Sequence, residues 1–542
     1  MKKKITKTFI SMVILLMLFG CKDQKKSNTE ELNANQSSMI LNNEEAMYRP
    51  NYHFSPKKGW MNDPNGMFFY NGYYHLYFQH YPEDNKWGPM HWGHATSTDM
   101  ITWKEQPIAL YPDELGYIFS GSAVVDIANT SGFGKDGKVP IVAMFTYHDM
   151  KKEKAKKTDV ESQAIAYSLD EGLTWTKYEG NPVITNPGIR DFRDPKVFWD
   201  AMHNKWVMVL AAQNKTMFYG SKDLKTWELL SDFGGNFDKA IGTHGGVWEC
   251  PDLFPLPVEG TDEVKWVHLV SINPGGPNGG SATQYFIGDF DGTTFTMDDD
   301  FEAKLLDDHD FWIDFGKDNY AGVTFSNLSS GKGGKFLMGW MSNWEYANIV
   351  PTEAWRSAMT ISREIKLIES EKSYRIAFTP VYELNGYKGL KFKKENVEVS
   401  EKLEIITSKE INLSSAEIKF NISDLKNSGF TFSLSNSIGD ELLFGFDAET
   451  NNYYIDRKKS GKVNFEKRFA DKISIAPRIS TQQNIEGTIL LDKTSIELFF
   501  DEGTSVMTEI FFPNAPFEML SIVSTNQNFK LDYIEVNQLT QK

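Results

Sequence analysis

Cysteine is almost absent from this sequence, because its 542 residues include only Cys21 and Cys250. Positive charge is also scarce: 57 Lys and Arg residues face 73 Asp and Glu residues, a formal net charge of −16. Nucleic-acid binding depends on basic groups that meet phosphates, so we predict no nucleic-acid partner and favour an uncharged substrate. The ten histidines lack tight ligand spacing such as His-Glu-x-x-His. We therefore predict no metal and no cofactor.

Long apolar runs are missing as well, and the run Ile10–Phe19 is too short to span a bilayer. It follows four lysines and precedes Cys21, an arrangement typical of a bacterial lipoprotein signal peptide. We expect cleavage after residues 1–20 and a lipid on Cys21. The protein would then be exported and anchored to a membrane of the cell envelope. The alternative is an ordinary signal peptide followed by an incidental cysteine.

The next segment, residues 21–46, is polar and has no aromatic residue. Such a composition cannot bury enough apolar surface to fold, so we expect a flexible tether. If Cys21 carries lipid, Cys250 is the one thiol left, and no intramolecular disulfide is possible.

Aromatic residues are abundant, at 14% of the chain. Short aromatic and aliphatic runs followed by turns predict strands, with little sign of helical periodicity. We interpret five such runs as inner strands: Tyr73–Phe78, Val139–Thr146, Lys205–Ala211, Lys265–Ser271 and Lys335–Trp340. The length exceeds that of one ordinary core, so an all-β protein of two domains is expected.

A weak repeat runs through the first part of the chain. Each copy has a small residue, an Asp turn, a Thr and an aromatic residue, as in Thr96–Trp103, Tyr167–Trp175, Gly220–Trp227 and Gly288–Phe295. A four-strand unit repeated every 50 to 70 residues or so predicts a β-propeller, with a degenerate fifth copy near Trp340. The alternative is a coincidence of common hairpin turns.

After about residue 380 glycine becomes rarer and strands alternate more regularly, as in Ala416–Ile422 and Ser495–Phe500. Alternation indicates strands with one buried and one solvated face. We therefore predict a β-sandwich over residues 378–542, after a propeller over residues 47–368.

One stretch between aromatic runs, Trp60–Gly66, reads Trp-Met-Asn-Asp-Pro-Asn-Gly. Proline fixes φ, glycine accepts positive φ, and Asn and Asp side chains bond their own backbone, so the stretch is typical of a turn. One interpretation is a plain loop between strands. The other is that the turn holds the Asp63 carboxylate rigidly below an aromatic pocket, where it would suit catalysis.

Trp60–Gly66 resembles the nucleophile motif of glycoside hydrolase family 32, the β-fructosidases. The resemblance continues at Gly88–His94 and Phe119–Ala123, and it reappears at Arg193–Pro195 and Glu249–Pro251, so three carboxylate motifs stand in the family's order. It implies a five-bladed β-propeller followed by a β-sandwich.

The resemblance also implies roles for three acids. Asp63 would be the nucleophile, Glu249 the acid/base, and Asp194 the stabiliser that accepts hydrogen bonds from fructose hydroxyls. A retaining glycosidase needs its two main carboxyl groups on opposite sides of the cleaved bond. Asp63 and Glu249 lie far apart in the sequence, so only the fold can bring them together. Arg190–Asp191 is a second Arg-Asp pair, but Pro195 and the strand-like residues after it favour Asp194.

Further residues are expected to bind the substrate or orient the acids. By resemblance these are Asn62, Gln79, Trp87, Phe119, Ser120, Arg193 and Trp340. Hydrogen bonds from Asn62 and Ser120 would keep Asp63 ionised, whereas an apolar wall beside Glu249 would raise its pKa. Any single tryptophan is equally consistent with a place in the core.

The sequence thus predicts an exo-acting, retaining β-fructosidase that releases fructose from levan or inulin, and from sucrose too, as a monomer. An endo-levanase or endo-inulinase is one alternative. A lipid-anchored fructan-binding protein without catalysis is another. A third arises because Ser168–Trp175 matches a sialidase-type Asp box; a sialidase should use a Tyr nucleophile and several arginines, and no such set is present.

Overall fold

The computed structural model describes residues 45–235, 241–328, 334–370 and 373–540. The predicted signal peptide, Cys21 and nearly all of the predicted tether lie outside these ranges. Among the described residues, no helix combines the length and the apolar character needed to cross a membrane.

The residues from 60 to 380 form five antiparallel sheets, each with four strands in chain order. The first three sheets contain β1 (Trp60–Tyr70), β2 (Tyr73–Tyr81), β3 (His91–Ser97) and β4 (Lys104–Leu110); β5 (Tyr117–Val125), β6 (Ile141–His148), β7 (Glu161–Ser168) and β8 (Thr176–Lys177); and β9 (Phe192–Asp200), β10 (Lys205–Ala212), β11 (Thr216–Ser221) and β12 (Glu228–Phe233). A short helix, α1 (Met150–Lys154), lies between β6 and β7.

The fourth and fifth sheets complete the set. They contain β13 (Val247–Pro257), β14 (Val264–Asn273), β15 (Ala282–Phe290) and β16 (Phe295–Met297); and β17 (Tyr320–Thr324), β18 (Lys335–Met341), β20 (Arg363–Ser370) and β21 (Ser373–Pro380), with the two-residue β19 (Ala358–Met359) beside β18. Helix α2 (Asp299–Asp307) follows β16. The first strands of successive sheets contact one another, and β17 contacts β1, so the five sheets close around a channel.

Two six-stranded sheets follow and pack as a sandwich. Their strands, in spatial order, are β22 (Lys388–Val399), β33 (Phe529–Leu539), β24 (Ala416–Ser423), β29 (Ile485–Leu491), β30 (Ser495–Phe500) and β31 (Ser505–Ile510); and β23 (Leu403–Thr407), β32 (Met519–Ser524), β25 (Phe430–Ser435), β26 (Glu441–Asp447), β27 (Asn452–Lys459) and β28 (Ser474–Pro477). The predicted fold class, a five-bladed β-propeller followed by a β-sandwich, is confirmed.

Two details of the strand predictions are wrong. The five aromatic and aliphatic runs form β2, β6, β10, β14 and β18, the second strand of each blade. These strands are covered on both faces, which explains their continuous apolar character. The fifth blade runs to Pro380, past the predicted end at 368. Its third strand, β20, alternates polar and apolar residues as a sandwich strand would, so the sequence does not mark it as part of the propeller.

The repeated Asp turns lie between the third and fourth strands of four blades. Their Asp carboxylates accept backbone N–H groups two to four residues later, as Asp99 does from Ile101 and Thr102. The sialidase-like box is therefore a structural turn. The degenerate fifth copy expected near Trp340 is wrong, because Trp340 lies within β18.

Charged side chains join the sandwich to the propeller in a buried layer. Arg363 of β20 donates to Asp314 at 2.8 Å and also bonds Glu497 of β30. Glu497 therefore faces the propeller, and all six residues of β30 are buried, so the solvated face predicted for this strand is wrong. Removal of one partner from such a buried pair costs about 3–5 kcal/mol.

His53 belongs to the same layer and contacts two sandwich carboxylates. Its Nδ1 lies 2.9 Å from Asp492 Oδ2, and its Nε2 lies 2.7 Å from Glu497 Oε1. Burial lowers the pKa of His53, but the two carboxylates outweigh it and raise the pKa to about 9. Both ring nitrogens therefore donate, which requires the imidazolium form.

This pair of contacts predicts a stability that depends on pH. Because the folded pKa of His53 exceeds the unfolded value of about 6.5, its contribution is complete below pH 6.5 or so and is lost as pH rises through about 9. We expect the difference in unfolding free energy between the wild type and His53→Gln to shrink by on the order of 3 kcal/mol over that range. Urea unfolding at several pH values measures it; a constant difference would contradict the assignment.

Candidate active site

The first strands of the five blades each present one polar side chain near the same end of the channel. These side chains are Asp63 on β1, Ser120 on β5, Asp194 on β9, Glu249 on β13 and Tyr320 on β17. The first four line one cavity of about 540 Å³, within the usual size of ligand pockets. The closure of the propeller thus brings the three predicted acids together.

A β-bulge occurs at this point in every blade. Two residues of the first strand oppose one residue of the second at Asn62–Asp63, Phe119–Ser120, Asp194–Pro195, Cys250–Pro251 and Ala321–Gly322. Bulges interrupt the ladder and re-aim side chains beside active sites, and they accommodate proline inside a strand. The turn predicted for Asn62–Gly66 is therefore wrong, because the motif lies inside β1. The residues that favour a turn are accommodated by the bulge in this strand.

The Asp63 carboxylate is 8% exposed and accepts hydrogen bonds at both oxygens. Asn62 Nδ2 donates to Oδ1 at 3.0 Å, and Ser120 Oγ donates to Oδ2 at 2.6 Å. Trp60 Nε1 in turn donates to the amide oxygen of Asn62 at 2.7 Å, which orients the amide. Donors to both oxygens fix the orientation of the Asp63 carboxylate in the cavity.

Glu249 is held by two donors. Arg193 Nη2 donates to its Oε1 at 2.9 Å, and the Tyr320 hydroxyl donates to its Oε2. Burial raises the pKa of Glu249, and repulsion from Asp63 adds to the rise, while Arg193 and Tyr320 oppose it. The net effect is a raised pKa, as an acid catalyst requires.

Asp194 lies in the same cavity as the other two acids. Its backbone has a φ of +65°, a strained conformation for an aspartate, and its Oδ2 accepts the Cys250 N–H at 3.0 Å. Burial raises the pKa of Asp194 to about 8, assisted by repulsion from Glu249 and Asp63 and opposed by Arg193. The acids are therefore electrostatically coupled, and their titration belongs to the group rather than to single residues.

Arg193 balances this negative charge. Besides Glu249, its guanidinium donates to Glu161 Oε1 at 3.1 Å and to Asp191 Oδ1 at 2.6 Å, and its Nε lies 3.9 Å from Asp194 Oδ2. Burial lowers the pKa of Arg193, but the four surrounding carboxylates outweigh this and raise it. The planar guanidinium thus fixes several acids at once.

Aromatic side chains form one wall of the cavity. Phe119 stacks on His148, with ring centroids 4.2 Å apart, and meets Trp87 edge-on at 6.0 Å. Trp87 remains 37% exposed at the mouth, whereas Gln79 at the closed end is 2% exposed and donates to Asn65 at 2.8 Å. The cavity is therefore deep and polar at one end and partly apolar towards the solvent.

All predicted site residues within the described ranges line this cavity except one. Trp340 is fully buried and does not line it, so its assignment as a substrate contact is wrong. Trp344 lines the cavity instead and lies 4.9 Å from Trp340 between ring centroids. Trp340 was expected in the site by resemblance alone, whereas Trp344 stands in the irregular segment after β18.

Sequence reasoning also missed Tyr320, Glu161 and His148. Glu161 is 3% exposed and joins Arg193 to His148 Nδ1, which lies 3.2 Å from its Oε1. Burial raises the pKa of Glu161, but Arg193 and His148 outweigh this effect and lower it. None of the three residues stands in a motif, so no local signal marked them. The second Arg-Asp pair, Arg190–Asp191, has a different place from Arg193–Asp194: Arg190 lies at the cavity rim, and Asp191 binds Arg193.

Comparison with known families gives two matches. The model of the glycosyl hydrolases family 32 N-terminal domain matches residues 53–380, and the model of the glycosyl hydrolases family 32 C terminal matches residues 385–538. Together they cover the propeller and the sandwich.

Individual proteins are similar over the same span. The levanase of Bacillus subtilis (strain 168) is 41% identical over 541 residues, which are 99% of this chain and 75% of that protein. The crystal structure of an exo-inulinase from Aspergillus awamori is 35% identical with a TM-score of 0.81, covering 91% of this chain and 98% of that one. A variant fructofuranosidase from Schwanniomyces occidentalis, complexed with fructosylnystose, is 34% identical with a TM-score of 0.80, covering 92% and 98%.

Proposed function

Because the chain belongs to glycosyl hydrolases family 32 and is a β-fructosidase-type glycoside hydrolase, we propose that it releases fructose from the non-reducing ends of β-fructans with retention of configuration. The observation that carries the proposal is the convergence of Asp63, Asp194 and Glu249 on one cavity. The similar levanase and exo-inulinase support levan or inulin as the substrate, with sucrose as a smaller substrate of the same linkage chemistry.

In the first step, Asp63 attacks C2 of the terminal fructosyl unit while Glu249 gives its proton to the departing glycosidic oxygen. A bond forms between C2 and an Asp63 oxygen, and the bond from C2 to the leaving oxygen breaks. The hydrogen bonds from Asn62 and Ser120 aim the Asp63 carboxylate. C2 is a tertiary centre, so it supports the positive charge that develops in the transition state.

In the second step, Glu249 takes a proton from a water molecule that attacks C2 and frees Asp63. This change of role follows from charge. Asp63 loses its negative charge when it becomes an ester, so its repulsion no longer raises the pKa of Glu249. Arg193 and Tyr320 remain bonded to Glu249 and favour its ionised form, which is the form that a general base needs.

Asp194 is the proposed partner of the fructose hydroxyls. It lies at the cavity surface with one oxygen fixed by the Cys250 N–H, which leaves its carboxyl group aligned towards the sugar. Hydrogen bonds that tighten as charge develops accelerate the chemical step rather than binding alone. The closed end of the cavity, with Gln79 nearly fully buried, supports cleavage of terminal units and hence an exo mode.

We also propose that the protein is exported and lipid-anchored through Cys21, and that it acts as a monomer. The support is the charged and apolar pattern of the first 20 residues together with the cysteine that follows. Growth of expressing cells with a labelled fatty acid should label the full chain, whereas Cys21→Ser should remain unlabelled. Equal labelling of the two would exclude this anchor.

The roles of the carboxylates predict the effect of isosteric substitutions. Glu249→Gln removes the proton donor and should lower kcat by about 10²–10⁴, and Asp63→Asn should lower it at least as much because no fructosyl ester can form. Initial rates on sucrose measure both effects. The exposed Glu179→Gln is a matched control that should retain full activity. Full activity of Asp63→Asn would favour the sialidase-type alternative.

The exo mode predicts the products over time. Purified protein should release fructose alone from levan and inulin at the earliest time points, read by anion-exchange chromatography, and the relative rates would rank the two linkages. A ladder of oligosaccharides would indicate an endo enzyme. Tight binding of fructan without any released sugar would indicate the non-catalytic binding protein. With methanol as acceptor, retention should give the β-methyl fructoside, and the α product would exclude a retaining mechanism.

A further inference from the structure

A row of charged side chains leads from Glu249 to the rim of the cavity. Glu249 is bonded to Arg193, and Arg193 donates to Asp191 at 2.6 Å. Arg190 Nε lies 3.9 Å from Asp191 Oδ2, and Arg190 Nη2 lies 3.8 Å from Glu153 Oε1. All five residues line the same cavity. The row therefore begins at the proton donor and ends at the solvent.

The outer end of the row is built on the connection between β6 and β7. His148 pairs with Glu161 at the base of this hairpin, and the residues between them carry α1. Asp149 accepts the N–H of Lys151 at 2.8 Å, and Lys152 Nζ donates to Asp159 Oδ2 at 2.8 Å. These bonds hold the helix as a fixed projection beside the cavity mouth.

Arg190 and Arg193 differ in how their guanidinium groups are engaged. Arg193 makes direct hydrogen bonds at 2.6–3.3 Å to three carboxylates. The ion pairs of Arg190 are 3.8 and 3.9 Å long, beyond hydrogen-bond distance, and its side chain is 59% exposed. Arg190 therefore lines the rim of the cavity with a guanidinium that no described residue engages at hydrogen-bond distance.

We propose that Arg190, with Glu153 and Met150 of α1, binds the sugar on the leaving-group side of the cleaved bond. This inference rests on the proposed function, because it takes Glu249 as the group that protonates the leaving oxygen. The leaving sugar departs from Glu249 towards the solvent, along the row that Arg190 ends. A second sugar unit offers hydroxyl groups and an apolar C–H face. The guanidinium can donate hydrogen bonds to the hydroxyls, the carboxylate can accept from them, and the thioether can pack against the C–H face.

The role is one of specificity rather than chemistry. Arg190 contacts the second sugar and not the fructosyl unit that reacts, so its binding energy is available only when a second sugar is present. Contacts to such a remote part of the substrate raise kcat/KM for that substrate alone. For a fructoside whose leaving group is too small to reach the rim, kcat/KM should not depend on Arg190.

The test compares two substrates that share the fructosyl unit. The leaving group of the trisaccharide 1-kestose is a sugar (sucrose), whereas the leaving group of methyl β-fructofuranoside is methanol. Arg190→Ala should lower kcat/KM about tenfold for 1-kestose, the effect of a lost hydrogen bond from a charged group, and should leave methyl β-fructofuranoside unchanged. Arg190→Lys should fall between the wild type and Arg190→Ala, because it keeps the charge but loses the planar fork.

The matched control is Lys154→Ala, which removes an exposed cation from α1 outside the cavity lining and should change neither substrate. An equal loss on both substrates with Arg190→Ala would overturn the proposal, because Arg190 would then act through Asp191 and Arg193 on the chemistry. No loss on either would overturn it as well. If the wild type cleaves neither substrate, the proposed function itself fails, and that outcome is visible before any variant is made.

Discussion

The repulsion among buried carboxyl groups, and its balance by Arg193, is the constraint on which the site depends. Asp63, Asp194 and Glu249 lie in one cavity, and Asp194 Oδ2 and Asp63 Oδ2 both lie within 3.6 Å of the Cys250 thiol. Burial of so much negative charge raises the pKa values of Asp194 and Glu249. Burial is the main cause of both rises, the repulsion among the carboxyl groups adds to it, and Arg193 opposes it.

The bulges in the five inner strands make this arrangement possible, because they interrupt the hydrogen-bond ladder beside the cavity. Each bulge leaves residues unpaired, and three of the bulges hold a residue at positive φ, namely Asp194, Cys250 and Ala321. Such a conformation costs on the order of 1–3 kcal/mol each. The second strands behind them are continuous and mostly buried. Buried ion pairs tie the propeller to the sandwich, since Arg363 bonds Glu497 and Arg457 bonds Asp318. The sandwich thereby supports the propeller.

The sequence was most informative where local chemistry decides the structure. The second strands were visible as apolar runs because both of their faces are buried, and the Asp turns were visible because each carboxylate bonds its own backbone. The inner strands were not visible in the sequence. Asn62–Gly66 has the composition of a turn, yet pairing with β2 makes it a strand with a bulge. Trp340 and Trp344 could not be told apart either, because full burial of the first and half-burial of the second depend on tertiary packing.

The sequence by itself indicated the family, four of the five blades through the repeated Asp turn, and three candidate acids, since each is carried by a short motif. Only the tertiary structure decided which partners control those acids. Arg193, Glu161 and Tyr320 come from β9, β7 and β17, and their contacts with one another and with Glu249 join residues far apart in the chain. The position of α1 at the cavity mouth was likewise decided by the closure of the blades. A pKa depends on charge and burial in three dimensions, which no local pattern of residues encodes.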